Sequence, residues 1–119
     1  MTAKRSNPAY LNGVPELLVL QLLARQPMHG YEIVQAIRIG TSDVFEFGEG
    51  CIYPILHRLE EAGFLHADRV TVGGRARVVY ETTKAGRRQL AKSAAQWEQV
   101  VGAVRQILQG SANGQPRLA

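Results

Sequence analysis

Basic side chains gather in one stretch of this chain. Residues 69–92 hold Arg69, Arg75, Arg77, Lys84, Arg87, Arg88 and Lys92 against a single acid, Glu81. Guanidinium and ammonium groups pair with phosphodiester oxygens, so a local excess of them marks a surface for a polyanion. The asymmetry is chain-wide. Residues 1–68 carry five basic and eight acidic side chains, and residues 69–119 carry nine and two. The net charge of +4 therefore belongs to the C-terminal half. Arg75 and Arg77 follow Gly73-Gly74 directly. Side chains two apart in a strand share a face, which aims both at one phosphate or minor-groove surface. The competing role for such a run is a solvated hairpin.

A second group lies upstream. Along Cys51–Ala62, Ile52, Ile55, Leu56 and Leu59 make an apolar helical stripe, leaving Tyr53, His57, Arg58 and Glu61 for the outer face. Tyr53, His57 and Arg58 on an open helix face suit base edges or phosphates. The structural alternatives are Tyr53 packed on the hairpin and Arg58 paired with Glu61 or Glu32. Lys84, Arg87 and Arg88 open the last helix, where cations oppose the helix dipole, so phosphate binding is their natural use, the alternative being exposed charges that are simply tolerated. His29, His57 and His66 share no metal-ligand spacing and Cys51 adds none, so neither a metal nor a cofactor is expected. The sequence holds no nucleophile–base–acid set, paired cleft carboxylates or phosphate-cradling glycine loop, which argues against an enzyme. Cys51 is the sole cysteine and cannot form an internal disulfide; a reducing cytoplasm is the simplest compartment. Its roles are small packing or redox sensing, the second requiring an activated thiol.

The elements that must position these groups follow from periodicity. The 119 residues suit one domain, and 45% hydrophobic content is enough for a core. No apolar run is long enough for a membrane span, and the basic N-terminus lacks the apolar stretch of a secretory signal. Residues 1–9 read as a flexible arm. A first helix is expected over Pro15–Gln26, with Pro15 in its first turn and apolar residues on nearly every face. Met28-His29-Gly30 reads as a connector, and Tyr31–Ile39 as a second helix with Tyr31, Ile33, Val34 and Ile37 inward. Gly40–Asp43 breaks it, and Val44–Gly48 is a linker with an extended pair at Phe45 and Phe47. The third helix is expected over Cys51–Ala62, with Pro54 in its first turn and Gly63 ending it. Phe64–Val72 and Arg75–Thr82 form a hairpin around Gly73-Gly74, whose residues suit a tight two-residue turn. Thr83 caps a last helix reaching about Gln109, roughly 39 Å long at 1.5 Å per residue. Its Leu90, Ala94, Trp97, Val101, Val104 and Leu108 are spaced 4, 3, 4, 3, 4, a heptad seam for a partner helix, and Val100 and Ile107 widen it. Gly110–Ala119 reads as a disordered tail. The fold class is thus mainly α with a small β-hairpin: a winged helix-turn-helix over residues 10–83 and a dimerisation helix over 84–109.

Four segments also carry a family likeness: His29-Gly30-Tyr31-Glu32-Ile33, Glu49 to Gly63, Gly73-Gly74-Arg75, and Tyr80 to Gly86. They are similar to the HGYxI element, the EGxxYPxLxRLExxG signature, the wing tip, and the YxxTxxG entering the last helix, all of the PadR family of bacterial transcriptional regulators. The resemblance runs over about residues 12–108, in order and without gaps. Cys51 departs from the threonine or serine common there. Ending after one C-terminal helix, the chain looks like the short subgroup. The resemblance implies a homodimeric winged-helix repressor whose last helix crosses to its partner, with a small molecule at the dimer interface.

Double-stranded DNA with an inverted-repeat operator is accordingly the expected partner, together with a second copy of the chain. Trp97 falls where many family members carry tryptophan, and in multidrug-binding relatives paired tryptophans line a flat pore. A small aromatic or phenolic effector would then meet Trp97 and the uncharged Val101, with Leu17 and Leu18 lining the same space. The alternative for Trp97 is a core anchor. The alternatives for the whole chain are a multidrug-sensing regulator with a flat pore around Trp97, or a winged helix used for protein contact.

Overall fold

The computed structural model describes the backbone of residues 9–110 and the side chains of residues 13–110. The expected flexible arm and disordered tail fall almost wholly outside the described residues. Four helices and three strands follow in order: α1 (Ala9–Arg25), β1 (Met28–His29), α2 (Gly30–Gly40), α3 (Glu49–Glu61), β2 (Leu65–Val72), β3 (Arg75–Thr82) and α4 (Lys84–Leu108). The strands form one antiparallel sheet in the order β1-β3-β2. The class is mainly α with a small wing, as the periodicities require.

Helices α1, α2 and α3 enclose the core. Val19, Leu20, Leu23, Ile33, Ile37, Ile52, Leu56 and Leu59 interlock, and Leu65 and Tyr80 close it from the sheet. The stripe read along the third helix, Ile52, Ile55, Leu56 and Leu59, is buried throughout. Burying such side chains contributes about 1.5–3 kcal/mol each, and they fix the pitch of α3 on the body. Thr82 is a buried polar residue among them; its Oγ1 donates to the Leu20 carbonyl at 3.0 Å, tying the end of β3 to α1.

Several boundaries differ from expectation. Helix α1 begins at Ala9, so Pro15 is its seventh residue and not in its first turn. Helix α3 begins at Glu49 behind Gly48, which accepts from the N–H groups of Cys51 and Ile52 at 3.0 Å each. Pro54 is then its sixth residue, and the carbonyl that loses a partner is that of Gly50, an exposed position that water can satisfy. Leu17, Leu18 and Leu22 are only half-buried, so α1 is not enclosed on every side by the described residues. Tyr31 is 54% exposed and not inward, because the α2 face it occupies looks past the core into an open cleft. In the linker, the rings of Phe45 and Phe47 stack at 5.5 Å between centroids. The connector Met28-His29 is a strand, pairing with Tyr80 and Val79.

The expected caps form. Gly63, at φ 85°, ends α3, with the Phe64 N–H donating to the Leu59 carbonyl at 2.9 Å. Thr83 Oγ1 accepts from the Gly86 N–H at 3.0 Å and donates to the Gly63 carbonyl at 2.7 Å. Gly86 stands where a capping glutamate would reach back, for a steric reason. A Cβ there would lie 2.2 Å from the Phe64 carbonyl oxygen, which also accepts from the Thr83 N–H.

Candidate nucleic-acid interface

The wing is built as the sequence implies. Gly73 and Gly74 have φ of 57° and 79°, the left-handed pair that a two-residue hairpin turn demands. Register runs from Val72 opposite Arg75 to Leu65 opposite Thr82. Arg75 and Arg77 lie on the same face as Val79, and Tyr80 and Thr82 turn into the body. Arg75 is fully open, but Arg77 is half-buried, and its guanidinium contacts Nε2 of His29.

Tyr53, His57, Arg75 and Arg77 come together. With His29, Gly30, Tyr31 and Tyr80 they line a cleft of about 530 Å³ between the wing and the starts of α2 and α3. Tyr53 is not a bare groove-facing residue. Its ring lies on Gly30, where a Cβ would meet the ring carbon at 2.2 Å, and the pairing joins α3 to α2. His57 is exposed and also borders a neighbouring hollow with Glu60, Ala67, Arg69, Val78 and Tyr80. The Tyr80 phenol titrates above its ordinary value because it is buried, with the Glu60 carboxylate and Tyr53 adding to the effect and Arg69 opposing it. Tyr80 therefore stays a neutral hydrogen-bonding group in the wall of the cleft.

Besides Arg77, two further arginines expected at the DNA surface are engaged within the protein. Arg58 turns to the far side of α3 and pairs with Glu16 of α1, and not with Glu61 or Glu32. Arg87 donates to the Ala24 carbonyl at 2.9 Å, at the end of α1 where carbonyls lack helical partners. A cation opposing the dipole of its own helix thus serves the C-terminus of another. Lys84 and Arg88 are exposed. Periodicity and spacing give no sign of His29, which the pairing of β1 with β3 brings beside Arg77 from 48 positions away. Cys51 is exposed in the first turn of α3. Among the described residues no group of three or more His, Cys, Asp or Glu is arranged to hold a metal ion, and no helix is long and apolar enough to cross a membrane.

The residues expected around an effector divide between two grooves. Trp97 and Leu17 line one of about 160 Å³ between α1 and α4, with Val14, Glu16, Ser93, Gln96 and Val100. Val100, not Val101, faces it. Leu18 lies on the other flank of α1, in a groove shared with Leu22, Ala36 and Ile37. Along the α4 seam Leu90, Ala94, Trp97 and Val101 are half-buried, and Val104 and Leu108 are exposed at 51% and 79%.

A family model described as the transcriptional regulator PadR-like family matches residues 19–92, from the core of α1 through the wing into α4. The chain belongs to the PadR family. It is 33% identical over 97 residues to a transcriptional regulator of Mycobacterium tuberculosis, a match spanning 82% of this chain and 85% of that protein. A PadR-like transcriptional regulator of Bacillus cereus superposes with a TM-score of 0.74 at 27% identity, covering 87% of this chain and all of the other. A PadR family regulator of Eggerthella lenta gives 0.72 at 30% identity, covering 84% and 87%. This PadR chain is therefore a winged-helix transcriptional regulator of the DNA-binding kind and not an enzyme.

Proposed function

We propose that this PadR chain is a sequence-specific repressor that works as a homodimer and leaves its operator when a small aromatic or phenolic molecule binds near Trp97. The observation that carries the DNA reading is the cleft that groups Tyr53 and His57 of α3 with Arg75 and Arg77 of the wing. The outer face of α3 enters a major groove, and the wing arginines, with Lys84 and Arg88, take the flanking phosphates. Arg58 and Arg87 are left to their contacts inside the protein. Residues 10–83 form the reading head, and α4 joins it to a second copy through Leu90, Ala94, Trp97, Val101, Val104 and Leu108. What supports that union is the open apolar end of the seam, where Val104, Ile107 and Leu108 are exposed at 51%, 82% and 79% with no apolar cover among the described residues. Two heads related by a twofold axis call for an inverted repeat with half-sites about one helical turn, ~34 Å, apart.

The effector reading rests on the groove that puts Trp97 opposite Leu17. A flat ligand stacking there from both copies would change the spacing of the heads, and its binding free energy would be linked to that of DNA. Binding is tested by fluorescence anisotropy on duplex DNA from upstream of the protein's own gene, against unrelated DNA and over a range of salt. Folded protein that prefers no sequence at any salt would sink the reading. Trp97 is the only tryptophan, so quenching of its emission reports the effector site directly. A compound that releases DNA while leaving that emission unchanged would place the site elsewhere.

A further inference from the structure

We propose that the cleft beside the wing seats one phosphodiester of the DNA backbone, with His29 as a ligand beside Arg75 and Arg77, and that His29 binds it as the imidazolium. This deepens the DNA-binding reading and rests on it. Strand β1 pairs only with Val79 and Tyr80, so the edge of β3 from Arg75 to Val78 carries no neighbouring strand on that side among the described residues. The cleft opens along that edge. Gly30 and the ring of Tyr53, which pack against each other, line it together with His29 at the start of α2.

In the DNA-free chain the Arg77 guanidinium donates to Nε2 of His29. A ring nitrogen that accepts carries no proton, so the contact selects the neutral imidazole with its proton on Nδ1. The same Nε2 lies 3.6 Å from Oε1 of Glu32, an oxygen that also accepts from the His29 backbone N–H at 3.0 Å. One nitrogen thus sits between a cation and an anion. The titratable groups facing it are Glu32 and Tyr31 from α2, Arg75, Arg77 and Tyr80 from β3, and Tyr53 and His57 from α3. Glu32 is the only acid in that set. A phosphate entering the cleft takes over the N–H groups of Arg77 and brings a second negative charge. Nε2 then loses its donor, and taking up a proton makes it a donor to the phosphate. DNA binding is therefore coupled to proton uptake at His29, and affinity rises as pH falls.

The test uses the full chain and a short fluorescent duplex of mixed sequence at low, fixed salt, followed by anisotropy between about pH 6 and about pH 8, where imidazoles change charge. Wild type should tighten as pH falls, by no more than about tenfold per pH unit, the limit for one proton. His29→Gln keeps an acceptor for Arg77; it should match wild type within a few-fold at the alkaline end and lose the pH dependence. His29→Lys places a permanent cation in the cleft and should bind tightly with a flat profile, which carries the test if the glutamine variant does not fold. His66→Gln, on β2 and outside the cleft, should keep the wild-type profile. A wild-type profile in His29→Gln, a sloped profile in His29→Lys, or loss of the slope in His66→Gln instead would overturn the proposal. Wild type that binds with a flat profile overturns the phosphate seat and leaves DNA binding standing. Wild type that binds no DNA at any pH overturns both.

Discussion

Adjacent residues in the first turn of α4 answer to different constraints. Gly86 is closed in by the Phe64 carbonyl, 2.2 Å from where a Cβ would sit, and the neighbouring Arg87 spans to the end of α1. Gly86→Ala must push the start of α4 off the sheet and should cost about 1–3 kcal/mol, the usual range for overpacking. A fall in the urea midpoint at unchanged slope would register it, and an unchanged midpoint would show that the turn can yield. Arg87→Ala should lose roughly 1 kcal/mol of stability with its hydrogen bond to α1. Arg88→Ala, with its side chain in solvent, should stay within about 0.5 kcal/mol of wild type yet lower the salt dependence of DNA binding by about one phosphate. If the two arginines exchanged these phenotypes, their assignments would be reversed. The sequence displays both as equivalent positive charges. What separates them is a partner 63 residues away, and the same holds for Arg58 with Glu16 at 42 and Arg77 with His29 at 48. Residue type and spacing show which side chains carry charge; tertiary pairing decides which remain available.

Among the elements, the wing was the most legible because its constraints are local. A two-residue turn needs two left-handed residues, Gly73-Gly74 supplies them, and the register of Val72 with Arg75 follows from the turn alone. The long helix α4 and the threonine cap before it are legible for the same reason. Strand β1 was not, since two residues carry no periodicity and only β3 makes them a strand. The starts of α1 and α3 are not legible, since a proline suits the first turn of a helix and yet both helices continue upstream of theirs. For the wing the consequence is measurable. Arg75→Ala with Arg77→Ala should lower the slope of log affinity against log salt by about two, one for each phosphate that an arginine no longer neutralises. Anisotropy at stepped salt measures that slope. A slope equal to wild type would take the wing off the backbone and leave the basic patch as a solvated face.

At the scale of the whole molecule, the described residues leave apolar surface at the end of α4 without cover. Helix α4 is 25 residues, about 37 Å at 1.5 Å per residue. Its first half rests on α1 across the Trp97 groove, while its last turns present Val104, Ile107 and Leu108 to solvent. A lone winged head on one half-site would also bind with only its own contacts, whereas two linked heads gain an effective-concentration factor of roughly 10²–10⁴. Both considerations put the same demand on the end of α4. Val104→Asp with Leu108→Asp should convert the protein to a monomer in sedimentation equilibrium, because two carboxylates per chain would face each other across the apolar seam. The core of α1, α2, α3 and the sheet shares no residue with that end, so the urea transition of the head should persist. Affinity for an inverted repeat should fall toward that for a single half-site, while the salt slope per head stays the same. If the doubly substituted protein remained a dimer, the interface would have to be sought on α1, where Leu18 and Leu22 line the second groove. The effector groove would then lie apart from the dimer contact, and coupling through Trp97 would need a different route to the reading heads.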